Sequence, residues 1–267
     1  MTASFQHVLL TRFNVRIFGS HGLDPAWLAH RFRFFERICF PSVMAQTARD
    51  FRWILFCDTT TPDWALQRLR ALIGDDGRIA PVLIDGPDTP EIRHAAIAAG
   101  LPAAVTHLIT SRLDNDDGLA RRFMETVQEQ FAGQDDEFIN FPEGHTCFQG
   151  RVYAWRHPSS PFLSFVERRA APDHVVKTVL SEPHHEVATR FRVRQVECGP
   201  AWLQVIHGRN AWNMVRGAAR PPKDLEPFYS PDVVAAVTDA RGTWGRRETL
   251  AYWIRRIKKK FVRLPAA

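Results

Sequence analysis

Thr106-His107-Leu108-Ile109-Thr110-Ser111-Arg112-Leu113-Asp114-Asn115-Asp116-Asp117 decides the fold. An apolar run of strand length ends abruptly in an acidic loop, and a helical pattern from Gly118 to Phe131 follows. The same unit recurs upstream. His7–Thr11 reads as a short buried strand. Trp27 to Cys39 shows helical spacing and is closed by Pro41. Phe51–Cys57 is a strand, and Thr61-Pro62-Asp63 starts a helix through Leu72, with Pro at the first helical position. Ile79–Ile84 is a third strand, and Thr89-Pro90-Glu91 opens a helix to Ala99. Such alternation predicts an α/β fold with a mostly parallel sheet and helices on both faces. Ligands of such sheets lie at the carboxyl ends of strands. That rule points to Arg12-Phe13-Asn14, to Asp58-Thr59 and to the acidic loop. Downstream, Glu137–Phe141, Thr146–Trp155 and Phe191–Cys198 read as partly antiparallel strands, and the chain from Pro200 as loop until a final helix.

Composition narrows the class. The 267 residues are 45% hydrophobic and 24% charged, as in ordinary globular proteins, which excludes a disordered or collagen-like chain. No apolar run approaches the roughly 18 to 20 residues that span a bilayer. Met1 to His7 lacks the basic-then-apolar build of a signal peptide. Cys39, Cys57, Cys147 and Cys198 are far apart with no CxxC pair, so they read as reduced thiols of a cytoplasmic protein. Between Arg246 and Arg263, eight Arg and Lys stand against Glu248, a net +7. The whole chain is +6, which leaves the remainder at −1. A nucleic-acid-binding body therefore loses its main support. The division expected is a domain over 1–245 and a basic tail over 246–267.

Three carboxylates as close as Asp114, Asp116 and Asp117 repel one another unless a cation is present. Alternate residues can direct Asp114 and Asp116 toward one hard divalent ion whose other positions hold water and phosphate oxygens. A solvated turn that caps the next helix is the simpler use of such residues. An EF-hand fits poorly, because Gly118 falls at position five of a loop that needs Gly at six.

The ordered set Leu10-Thr11-Arg12-Phe13-Asn14, Cys39-Phe40-Pro41-Ser42 with Gln46-Thr47, Phe51-Arg52-Trp53 through Asp58 and Thr61-Pro62, and Ser111 through Asp117 resembles a bacterial rhamnosyltransferase family. Trp202-Leu203-Gln204-Val205-Ile206-His207-Gly208-Arg209-Asn210 continues the resemblance, which covers roughly residues 5 to 215. It implies a GT-A glycosyltransferase with a Rossmann-type nucleotide-sugar fold, a mixed central sheet, and Mn²⁺ or Mg²⁺ as cofactor. The donor implied is a dTDP-, UDP- or GDP-sugar, and L-rhamnose is usually transferred with inversion. Carried onto this chain, the resemblance assigns Asp114 and Asp116 to a DxD motif, with Asp114 toward ribose or metal. It sets Asp116, alone or with Asp117, on the metal, Arg112 on the phosphates or orienting the aspartates, Asp58 at the base, and Thr11, Arg12 and Asn14 along the same pocket, where each could instead cap a neighbouring element. GT-A enzymes often complete the metal site with a late His, here His207; a packed core histidine is the plainer reading of that residue. An inverting transfer needs one carboxylate base. Glu167 is one candidate, with Glu186 and Glu182 as rivals, and each also reads as a plain surface carboxylate.

His184-His185 beside Glu182 and Glu186 makes a poor zinc site, since adjacent histidines diverge and no Cys completes a tetrahedron. Leu250, Trp253, Ile254, Ile257, Phe261 and Leu264 form one apolar stripe among basic residues. That pattern fits a helix docked on the body, or an interfacial helix on an anionic membrane at the inner face of the cell. A glycan or lipid-linked acceptor would suit the second use. Two other classes stay open. A metal-dependent nucleotidyltransferase would also place aspartates at strand ends, although no GxxxxGK[ST] loop occurs. A non-catalytic peripheral membrane or polyanion-binding protein rests on the tail alone.

Overall fold

The computed structural model describes residues 4–16, 24–169, 171, 175–207 and 215–244. Its larger sheet is built from β1 (Phe5–Arg12), β2 (Arg52–Asp58), β3 (Ile79–Ile84), β4 (His107–Arg112), β6 (Glu137–Asn140), β9 (Ser164–Arg168) and β10 (Arg192–Gln195). The strand order is β10-β6-β9-β4-β1-β2-β3, and β9 alone runs against its neighbours. The central strands are apolar on both faces, as the burial of a parallel sheet demands. Leu9, Trp53, Leu55 and Ile109 pack with residues of α1 (Pro25–Phe34), α3 (Asp63–Ile73) and α5 (Phe123–Glu129) on one face. Val8, Leu10, Ile54 and Phe56 pack on the other with Ile97 of α4 (Pro90–Ala98) and Val187 of α6 (Val187–Arg190). This is the mixed sheet with helices on both faces that the alternation predicts.

A second sheet has the order β12-β8-β7-β11-β5, from β5 (Gly118–Leu119), β7 (Glu143–Phe148), β8 (Arg151–Arg156), β11 (Trp202–Val205) and β12 (Ala218–Arg220). It packs with α7 (Pro231–Thr238) through Val205, Ile206, Val233 and Val237. Its existence corrects three expectations. The helix expected from Gly118 begins only at Phe123, because Gly118 and Leu119 pair with Leu203 and Trp202 of β11. Thr146–Trp155 is a hairpin, turning at Gln149 and Gly150 with φ of 52° and 76°. Positive φ at both positions is the two-residue turn that matches strand twist. The chain beyond Pro200 carries β11, β12 and α7 where loop was expected.

The first helix also differs. It continues past Pro41 by way of a π-helical turn, Phe35–Cys39, into α2 (Phe40–Met44). The Phe40 N–H reaches the Phe35 carbonyl, and Pro41 falls in the first turn of α2, where its missing N–H is no loss. Trp202 closes the seam between the sheets. Its ring stacks on Phe162 at 5.0 Å and lies so close to Gly144 that a Cβ there would sit 2.1 Å from it.

Candidate active site

The chain runs outward from β1 through β2 to β3, then returns to β4 on the other side of β1. This reversal is a topological switch, and the carboxyl ends of β1 and β4 diverge there. Leu113 extends the ladder by donating to the Leu10 carbonyl, and Asn115 Nδ2 donates to the Phe13 carbonyl at 2.5 Å. The acidic loop is thereby fixed to the end of β1.

Its three aspartates have different surroundings. Asp114 is half exposed at the rim, with Arg112 Nη2 at 3.4 Å from Oδ1. Asp116 is buried. Burial opposes its charge, but Arg31 and the hydrogen bond from His207 outweigh that and hold the carboxyl down at about 2. Asp117 is buried too and accepts the Val205 N–H at 2.7 Å. Burial, then Asp116 and Asp114, push its pKa well above the carboxylate range. The Val205 bond ties the loop to β11.

His207 follows β11 and is buried, with Nε2 2.7 Å from Asp116 Oδ2. Burial lowers its pKa against the pull of Asp116, so the imidazole is neutral at pH 7. Its Nδ1 lies 3.1 Å from His30 Nε2, and Phe34 stacks on its ring at 4.5 Å. Arg31 forms an ion pair with the same Asp116 oxygen. The donor set suits a divalent ion. To hold an ion there, His207 would have to give up the Nε2 proton it shares with Asp116. A carboxylate with an imidazole favours Mn²⁺ over Mg²⁺. Among the described residues no cluster of three or more His, Cys, Asp or Glu forms a cage, so water and ligand oxygens would supply the other positions.

The opposite wall is more tightly built than expected. Asp58 Oδ1 accepts from the Thr60 N–H and hydroxyl at 2.8 and 2.6 Å, and Oδ2 accepts from Arg16 Nε at 2.6 Å. Burial works against its charge, yet these Thr60 and Arg16 bonds keep its pKa lowered. Asn14 links to Thr61 Oγ1 at 2.9 Å and accepts from the Asp58 N–H, so it locks the ends of β1 and β2 together. Arg12 pairs with Asp88 at 2.9 Å, and Asp88 also holds Arg93. Arg12, Asn14 and Asp58 thus line the same edge as the acidic loop.

Two expectations are corrected. Thr11 does not face the pocket. It is buried in the core, where its hydroxyl accepts the Trp53 indole N–H at 2.9 Å. Nor does Glu167 reach the site. It lies opposite Leu108, four residues short of the carboxyl end of β4, and its two oxygens accept the N–H groups of Lys177 and Thr178 at 2.8 and 3.0 Å. It acts as a clamp on the 176–180 segment, which packs on the sheet face.

Glu186 stands on the segment that carries His184, beside His185 Nε2 at 3.5 Å. Glu182 is paired with Arg190 at 2.9 Å. His184 donates from Nδ1 to the Ser159 carbonyl at 2.8 Å, and burial lowers its pKa against that bond. The 182–186 segment is tied to Ser159 through His184. Residues 246–267, the proposed membrane helix, lie outside the described residues.

Arg31, His30 and Arg16 are site residues that sequence reasoning missed. His30 and Arg31 read as the polar face of a helix, and nothing in the local pattern shows that this face meets His207, 177 residues away.

The chain matches the family described as "Putative rhamnosyl transferase" over residues 6–219. The chain belongs to that family. In this rhamnosyl transferase family member the matched span holds α1, the acidic loop and His207, and it ends before the basic tail. No curated protein matches the chain. Among solved structures, it is similar to S. aureus TarS 1–349 at 10% identity, with a TM-score of 0.44, over 76% of this chain and 60% of that one. The same TarS fragment in complex with UDP gives 11% identity and a TM-score of 0.41 over 76% and 60%. In complex with UDP-GlcNAc it gives 10% and 0.41 over 83% and 63%. The chain spans about three fifths of the length of these TarS structures.

Proposed function

We propose that the protein transfers a sugar, L-rhamnose by family, from a nucleotide-sugar donor to a glycan or lipid-linked acceptor with inversion. The observation that carries this reading is the convergence of Asp116, His207, Arg31 and Arg112 on one buried edge at the topological switch. Arg12, Asn14, Arg16 and Asp58 line the neighbouring edge, where the nucleoside would lie. Asp116 and His207 would hold a divalent ion, with Asp114 at the rim, and the ion would supply positive charge for the departing nucleoside diphosphate.

The acceptor hydroxyl attacks the anomeric carbon, the bond from that carbon to the phosphate oxygen breaks, and the diphosphate leaves with the electron pair. The acceptor proton passes to a carboxylate. With Glu167 committed to backbone N–H groups and Glu182 to Arg190, Glu186 is the base in this scheme. Arg112, whose pairing partner Asp114 stays half exposed, offsets charge on the leaving group. No helix among the described residues is long and apolar enough to cross a membrane. Access to a lipid-linked acceptor would come through the +7 segment 246–263 on an anionic surface.

Titration calorimetry with dTDP, UDP and GDP, with and without Mn²⁺, tests the donor reading. One nucleotide should bind far more tightly with the ion present. Absence of binding by all three in both conditions would overturn it. Product analysis should then find a nucleoside diphosphate; pyrophosphate would indicate nucleotidyl transfer instead.

A further inference from the structure

The stripe Trp27, His30, Arg31 and Phe34 recurs at i, i+3, i+4 and i+7, one face of α1. Three of these residues act together at the acidic loop. His30 and Phe34 fix the His207 ring by hydrogen bond and by stacking, and Arg31 reaches Asp116. The Arg31 guanidinium also lies over Trp27 at 4.9 Å. Its position is therefore set by the helix, by an aromatic face and by a carboxylate at once.

A mere counter-ion would not need this. Asp116 already receives a hydrogen bond from His207, and the buried Arg31 Nε–H has no acceptor among the described residues. Arg112 repeats the pattern on the other side of the loop, with Nη2 on Asp114 and a buried Nε–H that also has no acceptor. Buried polar groups are nearly always matched, and an unmatched one signals a missing partner. Two guanidiniums are each anchored on one aspartate of this loop and each has a donor left over, a pairing that suits an anion with several oxygens. Guanidinium forks match phosphate oxygens in this way.

We propose that Arg31 is a catalytic residue that donates to the diphosphate of the donor and remains on the nucleoside diphosphate as it leaves. This assignment rests on the nucleotide-sugar reading above. Arg31 keeps its proton throughout and supplies fixed positive charge.

The test compares wild type, Arg31→Ala and Arg31→Lys for binding of the nucleoside diphosphate that calorimetry selects, and of the corresponding nucleoside, with Mn²⁺ present. Arg31→Ala should weaken diphosphate binding roughly ten- to hundredfold, the range of one charge-assisted hydrogen bond, and leave nucleoside binding unchanged. Arg31→Lys should recover part of the loss, and kcat should fall in the same order. A purely structural Arg31 would lower both affinities together or neither, and one acting only by orienting Asp116 on the ion would lose the diphosphate effect when the titration is repeated without Mn²⁺. Unchanged diphosphate affinity in a folded Arg31→Ala, or an equal loss for nucleoside and diphosphate, overturns the assignment. Should Arg31→Ala fail to fold, Arg31→Lys decides by the same difference. Failure of the wild type to bind any of the three nucleoside diphosphates instead overturns the donor reading, and this assignment with it.

Discussion

Replacing Glu167 by Gln separates a buried clamp from a catalytic base. The carboxyl is 1% exposed, and burial raises its pKa from 4.5 to about 7, against the two backbone N–H groups that favour its charge. The folded protein therefore binds this proton more tightly than the unfolded chain. Stability is fully present below pH 4.5 and is lost as pH rises through 7. Each tenfold in proton affinity is worth about 1.4 kcal/mol, so the loss across that window is roughly 3 kcal/mol. Glutamine cannot ionise, but its NH₂ faces a backbone donor and costs about 1–3 kcal/mol. The variant should be less stable than wild type at pH 5 and close to it at pH 8. Urea unfolding at both values measures the difference, and titration of other groups cancels in the comparison. Sugar transfer should stay within a few fold of wild type. An unchanged pH slope in the variant would refute the clamp. Loss of transfer in a folded Glu167→Gln would return the residue to the catalytic machinery.

Asp116→Asn should lower transfer by at least about a hundredfold, since it removes the charge that Arg31 and His207 surround; wild-type activity should fall with chelator and return with Mn²⁺, and full activity of the variant would sink the metal assignment. Gly144→Ala should lower stability by about 1–3 kcal/mol, because the added Cβ would meet the Trp202 ring at 2.1 Å; thermal unfolding checks this, and an unchanged midpoint would mean that the ring shifts without strain. Deletion after Gly245 should release the protein from anionic vesicles and leave nucleotide binding intact. Co-sedimentation at low and high salt tests it, and equal sedimentation of both forms counts against a membrane role.

The larger sheet was legible because parallel strands are apolar throughout and their helices begin at Pro and at Thr89, whose hydroxyl caps the Ile92 N–H. The acidic loop was legible because it ends a strand. What stayed hidden depends on through-space pairing. Gly118 and Leu119 look helical until β11 takes up their backbone groups, a tertiary override of local pattern. Gln149-Gly150 held the one local clue to the hairpin, a glycine at the turn. Thr11 shares its face of β1 with Leu9, but β1 is buried on both faces, so no alternation sets this position apart from the strand end. His30 and Arg31 acquire their meaning only from His207 and Asp116, which no spacing along the chain relates.

The acidic loop also joins the two sheets. Leu113 still belongs to the ladder of β1, and Gly118 already belongs to β5, so Asp114 to Asp117 make the whole crossing. Asn115 and Asp117 moor that crossing at each side. A span this short has no slack. One residue added or removed would part the sheets or strip a mooring, so the length of this crossing is set by both sheets at once.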